Sequence, residues 1–212
     1  MKKFLLTLVM IAAMVNTVSS QEIKLFKEYT YGLSQAEVQK KSKAKICGEG
    51  FPDNILCGPK QVSFADLQWW QVFSFEGGAL RQVMLFKKQF NPSSFSYITN
   101  TIKNNKFLLV AMAADDDHLD LIEIRLQDSE VANTKLKNLL AKEGSAKKVT
   151  YAFCEETPIT PLISDKNIHN LSELLYNSSP FLRVVEVSKT NDSIVINFFI
   201  RLSYLAGKKE TF

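Results

Sequence analysis

The chain has few of the residues on which most enzyme chemistry depends. It holds two histidines, His118 and His169, and three cysteines in 212 residues. It also lacks the short motifs of serine hydrolases, zinc proteases, Cys-x-x-Cys redox proteins and phosphate-binding loops. A pair of Cys154 as nucleophile and His169 as base is conceivable by residue type, but no local pattern supports it. The sequence therefore predicts no catalytic residue and no cofactor, with an unrecognised enzyme site as the alternative.

A strong charge of either sign is missing as well. The chain has 26 Lys and Arg against 22 Asp and Glu, a net charge of +4. Residues 1–20 contain two of the lysines and no acid, so residues 21–212 carry 24 basic against 22 acidic side chains, or +2. Domains that bind nucleic acid are usually far more basic than this. We therefore expect no nucleic-acid partner.

Long apolar runs are absent except near the amino terminus. Lys2 and Lys3 precede an apolar run at residues 4–15, and the small residues Val18-Ser19-Ser20 follow it. This order is typical of a cleavable signal peptide, and the run is shorter than the ~20 residues of a spanning helix. We expect a signal peptide at residues 1–20 and no membrane span after its cleavage. No cysteine stands at the cleavage site for lipid attachment, so the prediction is a soluble periplasmic or secreted bacterial protein.

The three cysteines fit an oxidising compartment. Cys47 and Cys57 flank a segment rich in turn-forming residues, and we expect them to form a disulfide. Cys154 is then left without a partner. It lies in the apolar stretch Tyr151-Ala152-Phe153-Cys154, where a buried small side chain is the expected role and a reactive thiol the alternative.

Hydrophobic periodicity and turn signals predict alternating helices and hairpins. Ser34 and Glu37 have the spacing of a capping box, which predicts a helix running towards Lys43. Gly77-Gly78 predicts a turn between two strands. The further expected elements are strands at 67–75 and 79–86, a helix at 94–104, strands at 107–113 and 119–126, a helix from 128 or 129 to Gly144, a strand at 149–155, a loop around Pro158 and Pro161, a helical turn at 170–176, and strands at 182–188 and 194–204.

This pattern predicts an α+β fold. Strands joined by tight turns are antiparallel, and helices between hairpins cover a face of the resulting sheet. We expect the helices on one face and place a boundary near Asn91. Residues 21–90 would form a helix and hairpin module with the cysteine loop. Residues 91–212 would form a second α+β module or continue the first.

Three aromatic residues are candidate binding anchors. Trp69 and Trp70 are adjacent on a predicted strand, so their side chains point to opposite faces. One indole can enter the core, while the other is covered or exposed. Phe51 lies in the predicted disulfide loop. Because buried aromatics often dominate protein–protein interfaces, an exposed one here would be a candidate contact.

An aspartate cluster at the tip of the second hairpin is a candidate cation site. It comprises Asp115, Asp116, Asp117 and Asp120, with His118 among them. Calcium prefers several carboxylate oxygens, although the spacing does not match an EF-hand loop. A solvated turn explains the same residues, so we predict no metal site and keep Asp115, Asp117 and Asp120 as candidate ligands.

The segment from Gly32 to Phe86 resembles the BamE-like (SmpA/OmlA) family and the related β-lactamase inhibitor protein fold group. The residues that match are Gly32, Leu33, Ser34, Glu37 and Val38 at the helix start, then Trp70, Phe73 and Phe75, with Leu80 and Val83 on the return strand. The match covers about a quarter of the chain. The resemblance implies a helix and sheet module that binds proteins and has no catalytic residue.

These features together predict an exported, non-enzymatic protein-binding module, inhibitor-like or scaffold. Its partner would be another envelope or extracellular protein, bound through the sheet face or the Cys47–Cys57 loop. Two alternatives stay open. One is an enzyme centred on the Asp115–Asp120 cluster or Cys154, and the other is a structural envelope protein.

Overall fold

The computed structural model describes residues 22–91, 93–164 and 167–208. The predicted signal peptide at residues 1–20 lies outside these ranges. The strands are β1 Lys24–Phe26, β2 Tyr29–Thr30, β3 Lys45–Ile46, β4 Ile55–Cys57, β5 Val62–Phe64, β6 Leu67–Glu76, β7 Ala79–Lys88, β8 Phe107–Ala114, β9 Asp117–Asp120, β10 Lys148–Glu155, β11 Arg183–Thr190 and β12 Ser193–Ile200. The helices are α1 Gln35–Ser42, α2 Ser93–Asn104, α3 Leu121–Ile124, α4 Ser129–Glu143, α5 Glu156–Ser164, α6 Leu171–Asn177 and α7 Arg201–Lys208.

One antiparallel sheet organises the chain, which confirms the α+β class. Its strands lie in the order β3-β4-β6-β7-β12-β11-β10-β8-β9, with β5 paired to β6. β1 and β2 form a separate small hairpin. The pairing of β7 with β12 joins strands from either side of Asn91. The two predicted modules therefore contribute to the same sheet.

The first face of the sheet carries the main hydrophobic core. Alternate strand residues such as Phe73, Leu85 and Ile196 are fully buried there. They belong to one cluster with Val38 of α1, Ile98 of α2, Leu139 of α4 and the β1–β2 hairpin. Burial of large apolar side chains contributes about 1.5–3 kcal/mol each, so this face supplies most of the driving force for folding.

The second face is covered over part of its area by other helices. Cys154 and Val184 on this face belong to a second cluster with Ile122 of α3, Ile159 of α5 and Leu174 of α6. The helices were expected on one face of the sheet, but they pack on both faces. The second cluster arises because β10 and β11 carry apolar residues at successive positions, which supplies both faces with buried side chains.

The predicted capping box at α1 is confirmed and is tied to the hairpin. The amide of Glu37 donates to Ser34 Oγ, and the Ser34 amide donates to Glu37 Oε2 at 2.8 Å. Just before the helix, the Gly32 amide donates to the Leu80 carbonyl at 2.9 Å, and the Leu80 amide donates to the Leu33 carbonyl at 2.7 Å. Gly32 has a φ of +88°, which glycine adopts without strain. These bonds anchor the start of α1 to β7.

Several expected elements are confirmed with small shifts in their bounds. The β6–β7 hairpin turns at Gly77-Gly78, and Phe95, Ile98 and Ile102 form the buried side of α2. Asp128 caps α4, and Asn170 caps α6 through its side chain. The β11–β12 hairpin also forms as expected.

Three segments were predicted wrongly. Residues 121–126 were expected in a strand, but Asp120 Oδ1 accepts from the amides of Ile122 and Glu123 and starts α3 instead. Residues 201–204 belong to α7 and not to the last strand. The expected loop around the two prolines is helix α5. The helix tolerates both prolines, because Pro158 lies in the first turn and Pro161 removes a single backbone hydrogen bond.

Candidate functional site

Trp69 and Trp70 lie on opposite faces of the sheet, as their adjacency in β6 predicts. Trp69 is fully buried in the first-face core, and its indole Nε1 donates to the Phe64 carbonyl at 2.8 Å. Trp70 lies on the second face with 46% of its surface exposed. The first is a structural residue with its polar atom satisfied. The second offers an aromatic surface to solvent.

Trp70 belongs to a line of apolar side chains across the second face. The strand register places Trp70 opposite Phe86, and Phe86 opposite Val195. A parallel line runs from Val72 to Met84. Apart from the more exposed Trp70, these side chains are only partly buried. We call these five residues, Trp70, Val72, Met84, Phe86 and Val195, the apolar patch.

The cysteine loop joins the sheet beside this patch. Cys47 and Cys57 form the expected disulfide, with 5.1 Å between their Cα atoms. Cys57 pairs with Val72 of the patch, so the base of the loop borders it. Phe51, the third candidate anchor, is 57% exposed between the two cysteines. The structure therefore places two of the three candidate anchors in solvent, at the same end of the sheet.

A cleft of about 1120 Å³ lies at the other end of the sheet and is lined by residues of both faces. Its floor includes Ala111, Ala113 and Ala152, whose methyl side chains leave room above the sheet. The lining also includes Leu171 and Leu175 of α6 and Tyr204 and Leu205 of α7. Strand β9 lines it too, together with Lys135, Asn138, Leu139 and Lys142 of α4. We call this the acidic cleft, because its lining contains Asp115, Asp116, Asp117, Asp120, Glu123 and Glu186 but only two lysines.

The candidate metal ligands are engaged in local structure. Asp115 accepts from the amides of Lys147 and Lys148 at 3.2 and 2.9 Å. Asp117 forms an ion pair with Lys142. Asp120 caps α3 through Oδ1 and accepts from the Leu171 amide through Oδ2 at 2.6 Å. Within the described ranges no group of His, Cys, Asp and Glu is arranged to hold a metal ion.

Cys154 does not have the environment of a nucleophile. It is a free, buried cysteine, and burial raises the pKa of its thiol to about 12. The thiolate is the reactive form, so this environment keeps the side chain inert. His169 lies at the start of α6, where its Nδ1 is 3.1 Å from Glu173 Oε2. Hydrogen bonds from His169, with the backbone amide foremost, lower the pKa of Glu173.

The acidic cleft was not foreseen as a unit from the sequence. Glu186 and Tyr204 come from β11 and α7, and burial followed by the charge of Glu186 raises the pKa of Tyr204. The sequence of β11 contains one sign of the cleft, because the acidic residue Glu186 stands among Val184, Val185 and Val187. A charged residue in an otherwise apolar strand indicates that one face of the strand is not fully covered. The strand order that places Glu186 next to the alanines of β8 and β10 is a long-range property.

The chain matches no protein-family model, no curated protein and no solved structure. The resemblance to the BamE-like and β-lactamase inhibitor group therefore stays a prediction carried by residues 32–86. None of the described helices has the length and apolar character needed to cross a membrane.

Proposed function

We propose that the chain is an exported, non-enzymatic protein-binding module whose partner is another envelope or extracellular protein. The observation that carries this proposal is the exposure of Trp70, 46%, at the end of the apolar patch on the second face of the sheet. A contiguous apolar surface on a folded protein commonly marks an interaction site. A half-exposed tryptophan is also the type of residue that contributes most to such interfaces when it becomes buried.

The disulfide loop supports the same surface. Cys57 is the last residue of β4, and it pairs with Val72 where β4 lies next to β6. The Cys47–Cys57 bond holds the loop base in this position without needing a partner. A surface that is already ordered loses little conformational entropy when it binds. Phe51 can thus extend the contact area made by the apolar patch.

Site-specific photo-crosslinking tests the proposed surface. A benzoylphenylalanine is placed at Trp70, at Phe51 and at Tyr176, and the protein is irradiated in its native cells. Tyr176 is the matched control, because it is an aromatic side chain of α6 with 82% exposure. We expect residues 70 and 51 to form a crosslink to the same defined protein and residue 176 not to form it. Equal crosslinking at all three positions contradicts the proposal.

A second measurement separates partner binding from incidental proximity. The isolated partner is titrated against the parent protein and against Trp70→Ala and Tyr176→Ala. We expect Trp70→Ala to weaken binding at least tenfold and Tyr176→Ala to leave it within twofold. If Trp70→Ala binds like the parent, the apolar patch is not the binding surface.

Export is tested by the amino terminus of the purified native protein. A protein cleaved after Ser20 begins at Gln21 and is found in the periplasm or medium. A protein that retains Met1 and fractionates with the cytoplasm would contradict the export part of the proposal.

A further inference from the structure

We infer that the acidic cleft binds an extended basic peptide segment, which adds to the sheet as a strand alongside β9. The inference rests on the proposed protein-binding function, but it depends on residues at the opposite end of the sheet from Trp70. Three features support it: the edge position of β9, the charge of the lining, and the apolar side chains of the lining.

β9 is a sheet edge that lies inside the cleft. In the described part of the chain it is the last strand of the sheet and is paired on one side with β8. Each of its four residues, Asp117–Asp120, lines the cleft. The edge of a sheet can accept an additional strand, and peptide-binding domains use this mode of recognition. The side chains of an added strand would continue the two rows of the β8–β9 register.

The charge of the lining selects a cation. The six carboxyl groups of the cleft outnumber the lysines, Lys135 and Lys142, by four, whereas the whole chain has a net charge of +4. Both lysines lie against carboxylates of the same lining, Lys142 with Asp117 and Lys135 4.0 Å from Glu123. Asp115 and Asp120 accept hydrogen bonds from backbone amides and have no basic side chain among their hydrogen-bond donors in the described part of the chain. A concave surface of one sign concentrates ligands of the other sign.

The lining of the cleft combines a strand edge with apolar side chains. Its volume of about 1120 Å³ is slightly above the ~300–1,000 Å³ of most small-molecule sites, and all four residues of β9 belong to its lining. The methyl groups of Ala111, Ala113 and Ala152 provide depth, and Leu175 and Leu205 provide apolar contacts. An extended segment that alternates basic and apolar side chains matches both surfaces. We therefore assign a basic β-strand peptide as the ligand class.

Synthetic peptides test the inference with the purified protein. The probe is a fluorescein-labelled Lys-Val-Lys-Val-Lys-Val hexamer, and its control is the Glu-Val hexamer of the same length. Two further hexamers carry N-methyl groups on either the lysine or the valine amides, which blocks one backbone edge in each. Anisotropy titrations should give saturable binding of the Lys-Val peptide and none of the Glu-Val peptide. One methylated isomer should lose at least tenfold in affinity, while the other stays within threefold.

Protein variants locate the binding. Asp116 and Asp192 are exposed aspartates at the turns of two hairpins of the same sheet, but only Asp116 lines the cleft. Asp116→Lys should weaken the Lys-Val peptide at least fivefold, and Asp192→Lys should change it by less than twofold. Equal effects of the two reversals would overturn the assignment to the cleft. Displacement of the peptide by spermine at equal charge concentration, or equal behaviour of the methylated isomers, would overturn strand addition.

The two proposals fail separately. In one outcome, Trp70→Ala weakens binding of the partner identified by crosslinking, but the parent does not bind the Lys-Val peptide. That outcome keeps the proposed function and overturns the inference. A parent that binds the peptide in the cleft but forms no specific crosslink from residue 70 keeps the inference and overturns the apolar patch as the partner surface.

Discussion

The two faces of the sheet are built from alternate residues of the same strands and differ in what covers them. On the first face, Phe73, Leu85, Ile196 and Val187 are all fully buried under helices and the small β1–β2 hairpin. On the second face, helices cover Cys154 and Val184, but the line from Trp70 through Phe86 to Val195 stays partly open. The same alternation thus produces a continuous hydrophobic core on the first face, whereas helices cover only part of the second face.

The difference shows how a sheet can separate stability from interaction. The cluster on the first face includes strands β6 to β12 and helices α1, α2 and α4, so the main core of the protein does not include the apolar patch. The second face is then free to expose an aromatic end, and the other end of the sheet to expose an acidic cleft. A substitution on the first face should therefore act on the free energy of unfolding. A substitution on the open part of the second face should act on binding.

The largest expected effect comes from the two adjacent tryptophans. Trp69→Ala removes a fully buried indole and leaves a cavity, so we expect a loss of about 3–5 kcal/mol in the free energy of unfolding. Trp70→Ala, the matched control, should cost less than about 1 kcal/mol, because the side chain is partly solvated in the native protein. Urea denaturation followed by circular dichroism measures both. Similar losses for the two variants would show that the faces do not differ in this way.

The disulfide should have the next largest effect. A Cys47→Ser, Cys57→Ser protein loses a cross-link that closes a short loop, which in the chain-entropy model costs about 2.5–3 kcal/mol. We expect a lower urea midpoint together with weaker crosslinking from residue 51, because β3 and β4 are held by few residues at the sheet edge. Reduction of the parent protein with dithiothreitol provides the control and should give the same midpoint as the double variant. An unchanged midpoint contradicts a stabilising role for the bond.

Cys154 tests the covered part of the second face. Cys154→Ala should cost about 1 kcal/mol, because it removes one buried sulfur from a packed cluster, whereas Cys154→Ser should cost more since it buries a hydroxyl. In the native parent at pH 8, the raised thiol pKa of about 12 and burial should prevent labelling by a maleimide until urea unfolds the protein. Rapid labelling without denaturant would show that this part of the face is open.

Local patterns predicted most of the secondary structure, because their causes are local. The Ser34–Glu37 spacing, Gly77-Gly78 and Asp128 each determine hydrogen bonds within a few residues, and the structure contains them. One failure has a local cause, because Asp120 caps a helix through the amides of Ile122 and Glu123. Another has a tertiary cause, because Ile159 anchors α5 in the second cluster despite the two prolines.

The site depended on long-range pairing and could be predicted only in part. Period-two alternation predicted that Trp69 and Trp70 face opposite ways, but it could not say which of them a helix covers. The pairing of β7 with β12 brings Val195 next to Phe86, more than a hundred positions away along the chain. No local rule contains that register. The acidic cleft depends in the same way on β8, β10 and β11 becoming neighbours.

The smallest expected effect concerns the helix cap on the first face. Hydrogen bonds from the Ser34 side chain, then from its backbone amide, lower the pKa of Glu37 below its ordinary value. A carboxyl group with a lowered pKa in the folded state stabilises that state above its unfolded pKa, and the contribution disappears as the pH falls through the folded pKa. We therefore expect Glu37→Gln to lower Tm slightly at pH 7 and not at pH 2.5. Glu49→Gln, an exposed acid of the cysteine loop, controls for the change in net charge. Because α1 packs on the first face, neither variant should alter crosslinking from residue 70. A Tm difference that persists at pH 2.5 would contradict the role of the Glu37 charge.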